Sequence, residues 1–352
     1  MDKRVLVITS KYNHHSEFGG YIQLSKFTKP TYIIGIDETS KKKPLYFLRA
    51  YKWLYEFIGW WKYRNKIDIL HIYYGEEYYR FSAFLFRKIP IIVTYHQPPE
   101  KLIEEITTGG DGGRIYRFAH RLTKKRFEKL AAAIVLEENQ KEILKKVIPE
   151  NKIHVIYHGV YLKPKNHNYK FNRDNNLIIS IGNWLRDWNF FENILKEALT
   201  QFPGVTFKLV NKKIDLKILQ KLNKYNNFKY ESDVTDYQLA KLLNTAKFLF
   251  LPLKSAAGNN AVMEGLALGT PILLPDIFNA KFQLKCAATQ SYQPENINDC
   301  ILKIKALLNA DSTENERMEK EAKNLIKKFS WKEIAKKTSI IYNKSIKSKR
   351  DI

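Results

Sequence analysis

The chain has 352 residues, 44% of them apolar, which exceeds one ordinary core and suits two domains of common size. Sixty Lys and Arg against 36 Asp and Glu give a net charge of +24, so the partners to weigh are polyanions: phosphorylated substrates, an anionic membrane or nucleic acid. Cys286 and Cys300 form neither a CxxC pair nor a disulfide framework, and no apolar run is long enough to predict a membrane-spanning helix.

The opening MDKRVLVIT runs from a basic start straight into a strand, expected over 4–9, with nothing resembling a secretory signal. A polar loop ending at Gly19-Gly20 and a short helix come next. Residues 41–66 hold Lys41, Lys42, Lys43, Arg49, Lys52, Lys62, Arg64 and Lys66 against Glu56 alone, mixed with Trp53, Trp60 and Trp61. A helix over 44–66 with this composition suits an anionic membrane interface. The alternative is that its aromatics cover a sheet and its cations are solvated. Arg114, Arg117, Arg121, Lys124, Lys125 and Arg126 make a second basic run. No nucleic-acid-binding motif is present, so nucleic acid is not an expected partner.

Further strands are expected over 32–36, 67–73, 89–95, 133–136 and 154–157. Helices are expected over 114–129 and 139–146, the latter capped by Asn139. Residues 161–176 are polar without an apolar period and read as a linker. A second alternating half begins there, with strands over 177–181, 206–210, 248–251 and 271–274. Its helices fall over 190–200, 237–244 and 260–268, and the tail adds helices over 314–328 and 331–345. Strands alternating with helices predict parallel sheets with helices on both faces. The expected domains are 1–163, 174–330 and a C-terminal helix with a basic tail, 331–352.

The most informative segment is 254–276, KSAAGNNAVMEGLALGTPILLPD. A strand ends, a small-residue loop passes through Gly258 to Asn259 and Asn260, and a helix starts. Gly269 and Pro271 stop that helix. Unpaired N–H groups and the positive end of the dipole at such a helix start suit a diphosphate. Asn260 and Glu264 are four apart and share a helix face. The Glu264 carboxylate, one turn on, can accept hydrogen bonds from both ribose hydroxyls. The alternative is that Asn259 only caps the helix and Glu264 is a solvated surface acid.

This segment resembles the signature of glycosyltransferase family 4, a large family of GT-B enzymes. Glu264 matches the second glutamate of its acidic pair, and GLALGTP matches the stretch after that glutamate. Ala256 stands where the first glutamate is usual. The Asn259-Asn260 pair resembles a variant of the motif. A second match is SIGNWLRDW at 180–188. Gly182 is in place, but Asn183 stands for the usual Arg and Trp188 for the usual Lys. Arg186 is the nearest substitute for a phosphate contact. The alternative for it is a surface ion pair with Asp187. In the first half, Gly19 and Gly20 resemble the family's glycine-rich loop, though two glycines also make a plain turn. TYHQPP at 94–99 resembles the strand whose closing histidine lies near the donor sugar. That points to His96, as a neutral imidazole bonding a sugar hydroxyl, against the reading of an ordinary structural histidine. YHGV at 157–160 resembles the segment before the linker, and His158 is assigned no chemistry.

The resemblance is specific over 177–276 and architectural over 1–160. It implies an α/β chain of the GT-B class, two Rossmann-like domains facing each other across a cleft. It implies a retaining hexosyltransferase with a UDP- or GDP-sugar donor, no metal and no cofactor. A glycan or lipid-linked acceptor, as in polysaccharide or lipopolysaccharide biosynthesis, fits a cytoplasmic chain held peripherally on the inner membrane face through 41–66. In this scheme His96 and Arg186 are the catalytic candidates. Gly19, Gly20, Gly182, Arg186, Gly258, Asn259, Asn260 and Glu264 bind the donor. The rivals are a degenerate sugar-nucleotide-binding subunit and a basic nucleic-acid-binding protein.

Overall fold

A computed structural model describes residues 3–12, 15, 19–40, 47–48, 51–110, 113–162, 172–212, 214–255, 257–277 and 284–350. The chain divides into two compact units, one from Met1–Gly159 with Trp331–Ile352, the other from Val160–Ser330. Each is built on a parallel sheet of six strands.

In the first unit the strands are β1 (Val5–Lys11), β2 (Tyr32–Asp37), β3 (Ile69–Ile72), β4 (Ile91–Tyr95), β5 (Ala132–Val135) and β6 (Ile153–Val155), in the order β2-β1-β3-β4-β5-β6. The runs ILHI, IIVTY and AAIV are buried throughout. That is the pattern of strands covered on both faces, where alternation gives way to continuous apolar sequence. The C-terminal helix Trp331–Arg350 packs on the turn Tyr21–Leu24 and the short helix Ser25–Thr28. Its Tyr342 hydroxyl lies 2.7 Å from Nδ1 of the buried His71, whose Nε2 lies 2.8 Å from Thr94 Oγ1. Trp331 presses on Gly159, where an added Cβ would stand 2.3 Å from the indole, so only glycine fits.

In the second unit the strands are β7 (Asp174–Ile181), β8 (Thr206–Val210), β9 (Phe228–Glu231), β10 (Ala246–Phe250), β11 (Ile272–Pro275) and β12 (Thr289–Tyr292), in the order β12-β11-β10-β7-β8-β9. This is the doubly wound Rossmann order, with its reversal between β7 and β10.

The differences from the sequence reading have local causes. Strands β9 and β12 lie outside it because both are sheet edges, and their sequences FKYE and TQSY lack a continuous apolar run. Asn139 is not a cap. Glu137 is, with Gln140 closing a capping box, and the helix is Glu138–Leu144. The helix expected over 114–129 ends at Leu122 and continues as a 3₁₀ turn over Lys124–Lys129. The helix expected over 44–66 is Leu54–Tyr63. Lys41, Lys42, Lys43 and Arg49 lie outside the described residues, as do Ala256 and most of the expected linker. Not all of the 41–66 stretch faces outward. The Lys52 amine donates to Glu77 at 2.7 Å and to the Tyr12 hydroxyl at 3.3 Å. Trp53 packs on Phe57 and Phe81, and Glu56 is buried accepting from the backbone N–H groups of Arg80, Phe81 and Ser82. Trp61 is 70% exposed, with Lys62, Arg64 and Lys66 exposed beside it.

Candidate functional site

Ligands of open α/β sheets bind beyond the carboxyl ends of the strands where the strand order reverses. In the second unit that point lies between β7 and β10, at the loops after these two strands.

The loop after β7 is built around Arg186. Gly182, at φ 80°, donates its N–H to the Val210 carbonyl at 3.1 Å. The chain then folds back through Leu185, a left-handed residue at φ 57°. Arg186 Nε and Nη2 donate to the Ile181 carbonyl at 3.2 and 2.6 Å, and Nη1 to the Trp184 carbonyl at 3.0 Å. A Cβ on Gly182 would sit 3.0 Å from Nη2, so glycine makes room for the guanidinium. The two loops are zipped together. Asp187 N–H donates to the Pro252 carbonyl at 2.7 Å and Lys254 N–H to the Leu185 carbonyl at 2.9 Å.

Arg186 is 7% exposed, and burial lowers its pKa to about 10, which leaves it charged at neutral pH. The surface ion pair is absent: the Asp187 carboxylate accepts from Phe190 N–H and caps the helix Trp188–Gln201. No carboxylate pairs with Arg186 among the described residues. Its three bonds use three of five N–H groups, so two remain. A buried cation without a counter-charge is costly, and an incoming anion removes that cost. Trp188 packs edge-on against Phe191, inside its own helix.

The loop after β10 leads through Gly258, at φ 61°, to the helix Asn260–Ala267. Asn259 is its N-cap, the Oδ1 accepting from Ala261 and Val262 N–H at 3.0 and 3.3 Å. That carbonyl is therefore committed to the helix. Asn260 Oδ1 is buried without a hydrogen-bond partner among the described residues. Glu264, one turn further on, is 8% exposed, so it is not a solvated surface acid. The structure thus brings Gly182, Arg186, Gly258, Asn259, Asn260 and Glu264 onto two adjoining loops and the helix Asn260–Ala267 that follows the second.

In the first unit the order reverses between β1 and β3. Gly19 and Gly20 come after β1, with Gly20 at φ 75° closing onto His15. His96 comes directly after β4. Its ring lies 4.5 Å from the rings of both Tyr21 and Tyr74, and its two nitrogens are buried without a hydrogen-bond partner among the described residues, Nδ1 standing 3.9 Å from Glu76 Oε1. Burial holds its pKa well below the usual value, so the imidazole is neutral. His158 is packing: its Nδ1 lies 2.8 Å from the Gly159 carbonyl, and its ring rests edge-on against Trp331.

Sequence reasoning missed Glu76. It sits just past β3 in the run GEEYY, and its carboxylate accepts the His96 N–H at 3.3 Å. Two acids placed directly after a buried strand were the available signal. Burial, with Glu77 adding to it, pushes the Glu76 carboxyl up to about 8. Burial also pushes Glu137, just past β5, up to about 8.

These shifts carry a sign. Between an ordinary 4.5 and about 8 the folded chain holds protons that the unfolded chain has released. Stability is therefore full below the lower value and falls as pH rises toward 8. Buried His71, lowered to about 3, and His158, lowered to about 4, act the other way, but only below their ordinary 6.5. The melting temperature should thus fall between about pH 6.5 and 8, and Glu76→Gln should shrink the fall. A flat wild-type profile would contradict the buried, protonated Glu76. Among the described residues no group of three His, Cys, Asp or Glu stands close enough to hold a metal ion.

Residues 2–163 match the model of the family described as Glycosyltransferase Family 4. Among solved structures, the chain resembles sucrose-phosphate synthase from Thermosynechococcus elongatus at 15% identity, TM-score 0.70, covering 99% of this chain and 100% of that one. It resembles HepE of Anabaena in complex with UDP and glucose at 13% identity, TM-score 0.69, covering 96% and 99%. TarM matches at 16% identity and TM-score 0.60 over 78% of this chain and 54% of that chain, so the present chain spans about half of TarM. No curated protein matches.

Proposed function

We propose that this chain, whose residues 2–163 match the model of glycosyltransferase family 4 and whose two units carry the sheets of the GT-B fold, is a nucleotide-sugar-dependent hexosyltransferase. The observation that carries the reading is the buried guanidinium of Arg186, with no carboxylate partner among the described residues, at the second unit's strand-order reversal, on a loop bonded to the one that leads into the helix Asn260–Ala267. A diphosphate supplies the missing counter-charge. The positive end of the helix dipole and Arg186 then take the role that a metal plays elsewhere. Asn260 Oδ1 accepts a hydrogen bond from the donor, and Glu264 accepts from the ribose hydroxyls. HepE, of the same fold, has been crystallised with UDP and with UDP-glucose.

The transfer proceeds with retention. The acceptor oxygen bonds to the anomeric carbon on the face that the phosphate leaves, and its proton passes to the departing phosphate oxygen. His96, neutral and with neither ring nitrogen hydrogen-bonded among the described residues, bonds a sugar hydroxyl. The acceptor is a lipid-linked or polysaccharide glycan, and the chain works peripherally on an anionic membrane face. The exposed Trp61 and Lys62 of the 41–66 stretch support that placement.

The test is a thermal-shift screen of UDP, GDP and their sugars. A native-state ligand at 100 times its Kd adds about 2.7 kcal/mol. For a domain of this size that is on the order of 5–10 °C. If none of these nucleotides moves the melting temperature, the reading falls.

A further inference from the structure

The helix Gly113–Leu122 has one face that the fold uses and one that it does not. On the inner side Ala119, His120 and Thr123 are buried. His120 Nδ1 lies 3.1 Å from Arg126 Nη1, Arg126 Nη2 donates to Glu105 at 2.8 Å, and Arg80 bonds the same carboxylate at 2.7 Å. These buried charges fix the helix to the body of the first unit. On the outer side Ile115, Phe118 and Leu122 are 47, 62 and 61% exposed. Their spacing of three and four residues sets them in one stripe along the helix. Arg114, Arg117 and Arg121, each one residue earlier, are exposed and form a parallel cationic stripe. Lys124 and Lys125 continue the charge into the next turn, and Ile103, on the neighbouring helix Pro99–Thr108, adds exposed apolar surface.

We propose that Gly113–Leu122 is the membrane-docking helix of this chain, lying in the plane of an anionic bilayer. Ile115, Phe118 and Leu122 enter the boundary of the acyl chains, and Arg114, Arg117 and Arg121 meet the lipid phosphates. The pairing of the two stripes selects this occupant. A nucleic acid would use the arginines and leave the apolar stripe in water. A bilayer with anionic headgroups satisfies both at one depth. The inference deepens the proposed action at a membrane, and it moves the principal contact from 41–66 to this helix. It does not depend on the transferase chemistry.

The experiment is co-sedimentation of the full chain with phosphatidylcholine vesicles and with mixed phosphatidylcholine–phosphatidylglycerol vesicles. The variants are R114Q/R117Q/R121Q and F118S/L122S. All five positions are exposed, so both variants should melt like the wild type and keep any nucleotide-induced shift. The wild type should bind the mixed vesicles and leave pure phosphatidylcholine alone. Each lost cation should weaken binding about fivefold, so the triple variant falls by about 100-fold. The serine variant should fall tenfold or more at an unchanged lipid-charge dependence. Absence of wild-type binding overturns the proposal. So does loss in the arginine variant alone, which would leave a contact made by charge only, as with duplex DNA. A nucleotide-induced melting shift that persists while vesicle binding fails would sink the docking helix and leave the transferase reading standing.

Discussion

Glu264→Ala should weaken UDP or GDP binding by about 1.5–3 kcal/mol, roughly 10- to 150-fold, as measured by titration calorimetry. The expectation starts from position. Glu264 sits one turn inside a helix whose first residue, Asn260, carries a buried oxygen with no hydrogen-bond partner among the described residues. The two share a face, so a ligand that meets Asn260 at the helix start extends over Glu264. A carboxylate accepts two hydroxyls at once, and those bonds are charge-assisted. Glu264→Gln keeps the shape and one acceptor, so its loss should be smaller. The Asn259 cap offers a control. Asn259→Ala removes two helix-start bonds and should cost about 1 kcal/mol of stability, so any nucleotide loss in it comes with a fall in melting temperature. Unchanged nucleotide affinity in a folded Glu264→Ala protein would place the donor elsewhere.

The central strands and the helix Asn260–Ala267 are legible in the sequence, and the illegible parts have physical reasons. Strands at the sheet centres announce themselves because burial on both faces demands apolar runs such as IIVTY. The edge strands β9 and β12 carry no such demand, and their sequences read as polar loops. The start of the helix Asn260–Ala267 is legible because Gly258, Asn259 and the stop at Gly269 are local signals. Glu137 as a cap is not, since glutamate is a poor cap by type and works here through the capping box with Gln140. Glu76 escapes notice because its meaning lies in what covers it. A carboxyl at a strand end becomes a candidate only when the tertiary structure removes its water. Arg186 is visible, but its confinement is not, because its bonds to Ile181 and Trp184 depend on a left-handed turn at Leu185 that no residue type announces.

Arg186→Ala should separate the local role that the structure shows for this side chain from the diphosphate contact proposed for it. The first is local. Nε, Nη1 and Nη2 hold the Ile181 and Trp184 carbonyls, and without them these acceptors lose their partners. An unsatisfied buried acceptor costs about 1–3 kcal/mol, so the melting temperature should fall. The second is electrostatic. The two uncommitted N–H groups and the uncompensated charge point to the donor diphosphate, and a nucleoside lacks the groups that would use them. The variant should therefore lose affinity for UDP or GDP by about tenfold or more beyond any loss for the matching nucleoside. Arg186→Lys refines the comparison. Lysine keeps the charge but not the planar fork. It should recover part of the diphosphate affinity while leaving the loop bonds, and so the melting temperature, impaired. Equal losses for nucleoside and diphosphate in Arg186→Ala, with no recovery in Arg186→Lys, would reduce Arg186 to a scaffold of its own loop. The counter-charge to the phosphates would then have to come from the helix start alone.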